Sequence, residues 1–328
     1  MANQTKRNGR SNGHAKIAGA RSRGIAAGEG ATRGEALESP PGDARLPVLK
    51  TYKVYVGGKF PRSESGRAYV ARNSAGKAIA NVCLCSRKDV RDAVVAARAA
   101  QSSWASRSAY NRGQILYRIA EMLEGRAAQF VEELSAGGVP DSVGTKEVRT
   151  SIDRLLHYAG WADKYQQIFS SVNPVASSHF NFSVLEPTGV VSILAPQDSP
   201  LLGLISVIAP AIVGGNSTVV LASTDQPIPS VTLGEVLATS DLPGGVVNLL
   251  TGQLDELHDH FASHMDINAC VYCGNDRKIL TTLRTRAAAN VKRVVHIKNR
   301  DWFADDAQSP YFILDTQEVK TTWHPVGT

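Results

Sequence analysis

Short apolar segments alternate with amphipathic segments along the second half of the chain. Five apolar runs have the length and composition of buried strands, at Val190–Leu194, Thr218–Leu221, Val246–Leu250, Asn268–Tyr272 and Val294–Ile297. Between them, apolar residues at helical spacing predict helices near Leu201–Val213, Ser230–Ala238, Leu254–Ser263 and Arg277–Ala288. Strands joined by helices through short connections favour right-handed crossovers and therefore a doubly wound parallel sheet in an α/β fold.

The part of the chain before this alternation is mainly helical. Helices are predicted from the Ser86–Asp89 capping box to about Trp104, from Ser108 to Leu134, and from Val148 to Gln166. Extended segments are predicted at Tyr52–Gly58, which ends in a hairpin turn, at Ala78–Cys85 and at Phe180–Leu185. In the last 28 residues the pattern is weak, and Tyr311–Leu314 predicts one strand.

Charge changes this picture only at the N-terminus. Residues 1–46 hold eight Lys and Arg against four Asp and Glu, a net +4 out of +6 for the chain. This segment is rich in Gly, Ala, Ser and Arg, so we expect a disordered basic tail. A docking or packaging peptide is the alternative.

The rest of the chain is nearly neutral, which argues against a nucleic-acid-binding body. No run of eighteen apolar residues occurs, so no membrane-spanning helix is predicted. The N-terminus has no apolar leader segment, and four cysteines are too few for a disulfide scaffold. We therefore expect a cytoplasmic protein.

An ordered series of motifs resembles the aldehyde dehydrogenases. The motifs are Tyr158–Lys164 (Tyr-Ala-Gly-Trp-Ala-Asp-Lys), Ala195–Pro200 (Ala-Pro-Gln-Asp-Ser-Pro), Leu242–Asn248, His264–Ile267 and Asn290–Val294. The resemblance extends over roughly residues 50–300 without a change of spacing.

The resemblance implies a Rossmann-like dinucleotide-binding domain with an oligomerisation strand. The expected parts are a tail (1–46), an N-terminal helical part (47–172), the oligomerisation strand (173–188), the α/β core (189–300) and a C-terminal extension (301–328). A family member normally continues into a catalytic domain of comparable size, so we expect that domain to be absent here. In this the chain is similar to the cysteine-free second region of larger two-part family members.

Three groups that the family's chemistry needs are missing at the implied positions. The nucleophilic cysteine would fall just beyond Thr328, and no cysteine follows Cys273. The general-base glutamate falls at Ile297, or at His296 after a shift of one residue. The asparagine that stabilises the oxyanion corresponds to Asp198, whose charge would repel an oxyanion.

The implied cofactor positions are also altered. The family's ribose-binding lysine and glutamate fall at Ala222 and Asp225. Pro196, Asp225, Gly252, Gly274 and Asn275 remain as a degenerate NAD(P) site. Two glycines that would let a pyrophosphate approach are replaced by Leu254 and His258, and Asp276 puts a charge beside the implied phosphate. We therefore expect no bound NAD(P).

Other reactive residues are interpreted as structural. Cys270 and Cys273 would point to opposite faces of a strand, and Cys83 and Cys85 would lie too far apart for an unstrained disulfide. His258, His260 and His264 have partial metal-ligand spacing without a third ligand, so no metal site is predicted.

Two helix faces complete the candidates. The aromatic face formed by His157, Tyr158 and Trp161 is expected to pack against a neighbouring subunit. The basic face of one helix is expected to be solvated, an anion or an acidic partner being the alternative; its residues are Arg277, Lys278, Arg284 and Arg286.

These observations lead to three functional hypotheses. The first is a catalytically deficient subunit that supports a full-length aldehyde dehydrogenase in a hetero-oligomer, because a missing catalytic domain would expose apolar surface and a strand edge. The second is a half-subunit that completes an NAD(P)-dependent active site with another chain. The third is a binding module that acts through its basic tail.

Overall fold

The described part of the chain begins with a small three-stranded sheet. The computed structural model describes residues 48–327, so the predicted tail lies outside the described residues. The strands are β1 (Thr51–Tyr52), β2 (Ala68–Arg72) and β3 (Ala78–Cys83), with β3 in the middle. Gly57 and Gly58 both have positive φ, and Val56 bridges Lys59 across them, which confirms the predicted turn.

Five helices and two strands follow. The helices are α1 (Arg87–Ala105), α2 (Ala109–Glu124), α3 (Ala127–Gly137), α4 (Asp141–Trp161) and α5 (Tyr165–Phe169), and the strands are β4 (Ser171–Asn173) and β5 (His179–Pro187). The capping box that starts α1 is confirmed: the Ser86 hydroxyl accepts from the Lys88 amide at 3.2 Å, and Asp89 accepts from the Ser86 amide at 2.7 Å.

Two predicted helices have wrong boundaries. The single helix predicted from Ser108 to Leu134 is divided at Gly125, because glycine weakens the helix there and the buried side chains of Phe130 and Leu134 redirect α3 onto its neighbours. The helix predicted at Val148–Gln166 begins earlier, at Asp141 after Pro140, and ends at Trp161.

The central layer is a five-stranded parallel sheet, as the alternation predicted. Its strands and helices are β6 (Val190–Leu194), α6 (Leu202–Val213), β7 (Ser217–Leu221), α7 (Pro227–Ala238), β8 (Val247–Leu250), α8 (Leu254–Ser263), β9 (Ala269–Tyr272), α9 (Arg277–Ala287) and β10 (Arg293–His296). The strand order is β10-β9-β6-β7-β8, and every neighbouring pair is parallel. All five strands lie within one residue of their predicted bounds.

Helices cover both faces of this sheet. Alternate residues of β6 point to opposite faces, so Val191 and Ile193 join the core formed with α2, α4, α6 and α7, while Val190 and Leu194 join the core formed with α1 and α8. Every residue of α6 is buried. Within residues 48–327, no helix has both the length and the apolar character that a membrane span requires.

The C-terminal region differs from the prediction. Tyr311–Leu314 is not a strand but the short helix α10, which follows Pro310 at its N-cap and buries Ile313. The strand lies further on, at β11 (Gln317–Pro325). It pairs antiparallel with the whole of β5, from Gln317 opposite Pro187 to Pro325 opposite His179, in a second three-stranded sheet of order β11-β5-β4.

Candidate functional site

The structure brings the implied site positions to one edge of the central sheet. Each lies in the connection that follows the carboxyl end of a parallel strand, which is where ligands bind in open α/β sheets. The positions are Pro196 and Asp198 after β6, Ala222 and Asp225 after β7, Gly252 after β8, Gly274 and Asn275 after β9, and Ile297 after β10.

Asp198 is an exposed carboxylate at the end of β6. The neighbouring Gln197 closes the loop, because its side chain donates to the Ala195 carbonyl at 3.0 Å and accepts from the Thr224 amide at 2.8 Å. Burial, together with Cys270 and Asp198 nearby, raises the pKa of the Cys273 thiol. The thiol is therefore protonated at neutral pH and is a poor nucleophile.

Ile297, at the implied general-base position, is a core residue. Its side chain is 9% exposed and belongs to the cluster beneath the sheet. Its amide donates to the Tyr272 carbonyl at 2.9 Å, which extends the pairing of β9 with β10. The side chain has no group that accepts a proton.

His296, the alternative position, is engaged by a neighbouring loop. Its ring stacks on the Tyr272 ring at 5.5 Å between centroids and 12° between planes. Its Nε2 donates to the Gly274 carbonyl at 2.7 Å. The Tyr272 ring in turn covers Gly274, where an added Cβ would lie 2.6 Å from ring atoms. The loop after β9 is thus packed against side chains of its own chain.

The N-terminus of α9 is closed by Asp276. This carboxylate accepts from the amides of Lys278 at 2.6 Å and Ile279 at 3.3 Å, and the Asp276 amide donates to the Tyr272 hydroxyl at 3.1 Å. The Asp276 carboxylate therefore already occupies the amides that an anion would bind at this helix N-terminus, and it already interacts favourably with the helix dipole. The N-terminus of α6 is closed similarly, because Glu147 accepts from the Leu202 amide at 3.1 Å.

The loop after β7 borders an open cavity of about 470 Å³. Asp225 is exposed there, whereas Ala222 is buried and donates from its amide to the Leu250 carbonyl at 2.9 Å. The Thr224 hydroxyl donates to the Gly252 carbonyl at 2.9 Å, so the connections after β7 and β8 are linked. The cavity lies against β2 and the end of α3, and is lined by Tyr69, Arg72, Ser74, Gly137, Gln226 and Gln253.

In the connection after β8, only Gly252 remains of the glycines that the resemblance implies. Leu254 begins α8, and His258 donates from Nδ1 to the Leu254 carbonyl at 3.0 Å. A Cβ on Gly252 would lie 3.0 Å from the Leu257 side chain. Both replacement side chains therefore belong to the first turns of α8.

The chain covers part of this region with its own C-terminal segment. We call residues 302–316 the covering segment. Its Trp302 is 5% exposed, and its indole nitrogen would lie 3.1 Å from a Cβ placed on Gly203 of α6. The side-chain amide of Asn216 donates to the Thr316 carbonyl at 3.0 Å. The side of α6 that carries Gly203 is therefore covered from within the chain.

Arg154 of α4 holds the covering segment in place. The residue is 2% exposed, and its guanidinium donates to the Ala307 carbonyl at 2.5 Å, the Trp302 carbonyl at 2.9 Å and the Ser206 hydroxyl at 2.5 Å. Burial lowers its pKa from the ordinary value. No carboxylate within the described residues forms an ion pair with it, so carbonyl oxygens provide the compensation for its burial.

The aromatic face of α4 has a different partner from the one predicted. Tyr158 is completely buried and donates from its hydroxyl to the Ser309 carbonyl at 3.2 Å. His157 packs edge-on against Tyr158 at 5.2 Å. This face therefore packs on the covering segment of the same chain, and the expectation that it packs against a neighbouring subunit is corrected here.

The remaining reactive residues are structural. All four cysteines are free, and Cys83, Cys85 and Cys270 are buried, as predicted. Within residues 48–327, no group of three or more His, Cys, Asp or Glu side chains is placed to hold a metal ion. The basic face of α9 is exposed, and Arg286 forms an ion pair with Asp259 at 2.8 Å.

Sequence reasoning did not find Arg154 or the stack of Tyr272 on His296. An arginine in an amphipathic helix normally lies in solvent, and only the buried Leu155 and Tyr158 beside it indicated that this part of α4 is covered. The stack joins the ends of two strands that are adjacent in the sheet, which a one-dimensional pattern does not specify.

Comparison with known proteins identifies relatives of this chain. The sequence model of the aldehyde dehydrogenase family matches residues 60–296. Cytosolic 10-formyltetrahydrofolate dehydrogenase of Mus musculus is 28% identical over 256 residues, which is 76% of this chain and 28% of that protein. 2-Hydroxymuconic semialdehyde dehydrogenase of Pseudomonas sp. (strain CF600) is 32% identical over 248 residues, which is 73% of this chain and 50% of that protein.

Solved structures share the fold. An aldehyde dehydrogenase from Bacillus cereus, solved as its NAD⁺ complex, aligns with a TM-score of 0.71 at 23% identity, covering 76% of this chain and 51% of that chain. Lactaldehyde dehydrogenase from Escherichia coli aligns with a TM-score of 0.72 at 22% identity, covering 76% of this chain and 52% of that chain. The chain thus spans about half the length of these structures.

Proposed function

Because the chain belongs to the aldehyde dehydrogenase family, we propose that it is a subunit without dehydrogenase activity of its own, which assembles with a full-length aldehyde dehydrogenase and has a structural or regulatory role there. The proposal has two parts, the loss of catalysis and the assembly. Different observations support them, and each has its own test.

The loss of catalysis is supported by the groups at the reacting edge. Ile297 is a buried apolar side chain where a general base is implied, and Asp198 is a carboxylate where an oxyanion-binding amide is implied. A carboxylate raises the energy of a developing oxyanion instead of lowering it. The raised pKa of the Cys273 thiol argues against its use as a substitute nucleophile.

The observation that carries the proposal is the closure of the α9 N-terminus. The family implies a dinucleotide, and a pyrophosphate needs free amides and close backbone approach at such a helix start. Here Asp276 occupies those amides and Tyr272 covers Gly274. The residues present therefore do not fit NAD(P) in the implied position, and we assign no hydride transfer to this chain.

Assembly is supported by the exposed apolar residues of the β11-β5-β4 sheet. Val172, Phe180 and Trp323 are 67%, 46% and 58% exposed. Val319 and Val326 of the same region are also exposed. The register places Val172 and Phe180 on one face of the sheet and Val319 and Trp323 on the other, because Val172 pairs with Phe182 and Trp323 pairs with Asn181. Exposed apolar side chains are typical of protein interfaces. We therefore expect a partner subunit to bury this sheet.

The covering segment also distinguishes the half-subunit hypothesis from the first one. A half-subunit needs an accessible edge at which another chain completes the site, but Trp302 and α10 already pack against α6. If a complex forms and photoreactive NAD(P) labels only the full-length subunit, the first hypothesis is supported. Labelling of this chain would support the second.

Ligand titration tests the loss of catalysis. We expect the purified full chain to show no saturable binding of NAD⁺ or NADP⁺ by calorimetry and no aldehyde-dependent reduction of either. The Pseudomonas 2-hydroxymuconic semialdehyde dehydrogenase, prepared in the same way, is the positive control. Saturable binding by the chain alone, or reduction above the rate without protein, would overturn this part of the proposal.

A further inference from the structure

A hollow lined by basic side chains lies between α1 and α8. It encloses about 280 Å³, and its lining residues are Arg87, Val90, Arg91, His260, Ser263 and His264. None of them belongs to the connections that form the carboxyl edge of the central sheet. No carboxylate side chain lines the hollow within residues 48–327.

The two arginines stand one helical turn apart on α1. Their i, i+4 spacing places both guanidinium groups on the same side of the helix. Arg91 is partly neutralised by Asp92, with its Nη2 at 2.8 Å from Oδ1. Arg87 has no ion-pair or hydrogen-bond partner among the described residues. Like charges at this spacing repel, so a bound anion would relieve an unfavourable interaction.

The opposite wall carries imidazole donors. Nδ1 of His264 accepts from the Asp266 amide at 3.3 Å, so the neutral ring carries its hydrogen on Nε2. His260, four residues earlier, lines the hollow from the last turn of α8. Hydrogen-bond donors are therefore available from two separate elements that face one another.

A buried lysine neutralises the partial negative charge at the C-terminal end of α8. The last carbonyls of a helix carry partial negative charge and would repel an anion. Here the Lys292 ammonium donates to the carbonyls of Ala262 at 2.7 Å and His264 at 2.9 Å. Lys292 is 6% exposed and has no carboxylate ion-pair partner among the described residues, so its charge adds to the positive potential beside the hollow.

We propose that this hollow binds a phosphate group, either as inorganic phosphate or as the phosphate of a small monoester. A tetrahedral oxyanion offers acceptor oxygens to both walls at once, whereas a carboxylate presents two oxygens in one plane. Guanidinium groups match phosphate through paired, charge-assisted hydrogen bonds. The site is independent of the implied dinucleotide position and of the proposed lack of activity.

The test is a titration of the ¹⁵N-labelled full chain at constant pH and ionic strength. Sodium phosphate, glycerol phosphate and sodium acetate are added separately, with chloride as the balancing salt. We expect saturable shift changes in the amides of residues 87–91 and 260–264 with both phosphates, and weaker, non-saturating changes with acetate. Tighter binding of glycerol phosphate than of phosphate would assign the site to a monoester, and equal or weaker binding to the inorganic ion.

Two arginine variants, one in the hollow and one outside it, test the role of Arg87. Arg87→Gln removes an exposed group that makes no described contact, and its spectrum reports whether the fold is retained. We expect it to weaken phosphate binding about tenfold, the effect of one lost charge-assisted hydrogen bond. Arg277→Gln on the exposed face of α9 is the control and should leave binding unchanged. Equal effects of the two variants, or equal responses to acetate and phosphate, would overturn the proposal.

Discussion

Replacing Arg154 with methionine removes the group that holds the covering segment. The substitution keeps an unbranched side chain of similar length in α4 but deletes every donor. The carbonyls of Trp302 and Ala307 then lose the hydrogen bonds at 2.9 Å and 2.5 Å that the guanidinium supplies. Ser206 keeps a partner, because its hydroxyl also donates to the Leu202 carbonyl at 2.7 Å.

The expected cost follows from the two carbonyls. Each buried acceptor left without a partner costs about 1–3 kcal/mol, so the pair costs about 2–6 kcal/mol. Removing a buried charge returns part of this, since burying a guanidinium is itself unfavourable. A net loss of about 3 kcal/mol in the free energy of unfolding would lower the melting temperature by about 6–12 °C for a domain of this size.

Hydrogen exchange measures where this loss occurs. In Arg154→Met we expect faster amide exchange across the covering segment and the first residues of β11, with little change in β6 and β7. Arg149→Met lies on the exposed side of the same helix and is the matched control. Unchanged protection of residues 302–316 in Arg154→Met, with a melting temperature equal to that of Arg149→Met, would refute the role assigned to Arg154.

Two further predictions concern the packed loop after β9 and the covering segment. Gly274→Ala would place a methyl group 2.6 Å from the Tyr272 ring and should cost about 1–3 kcal/mol, whereas Gly327→Ala has open space and should cost nothing measurable by chemical denaturation. An equal midpoint for the two variants would contradict the packing described here. Burial lowers the pKa of His157, so the unfolded chain binds a proton more readily, and stability should fall as pH drops below about 6.5. The decrease in melting temperature from pH 7 to pH 5 should be smaller in His157→Gln; the same decrease in both would count against a contribution from His157.

The central sheet could be predicted because its signals are local. Each strand is a short apolar run, and each is separated from the next by a helix-length segment, so even the predicted bounds of β6 agree with the structure. Since parallel strands end at a common edge, the connections after them lie in one region of the structure. The assignment of Asp198, Gly274 and Ile297 to the site came from the resemblance to the family and not from the strand pattern.

The C-terminal region could not be predicted because its structure depends on distant contacts. A four-residue apolar run such as Tyr311–Leu314 fits a helix or a strand equally well. Most of β11 is exposed and polar, so it has no alternation to detect, and it is ordered by pairing with β5 more than a hundred residues earlier. Arg154 escaped notice for the same reason, since only the folded covering segment makes it a buried residue.

The native assembly of this chain tests the central claim most directly. The chain would be tagged in its own cell, purified gently and measured by native mass spectrometry, with co-purifying chains identified by sequence. We expect a complex with a full-length aldehyde dehydrogenase at a fixed ratio, and loss of that complex when Phe180 and Trp323 on the exposed sheet are replaced by serine. Recovery of the chain alone, as a monomer or as an assembly of identical copies, would contradict the proposed role.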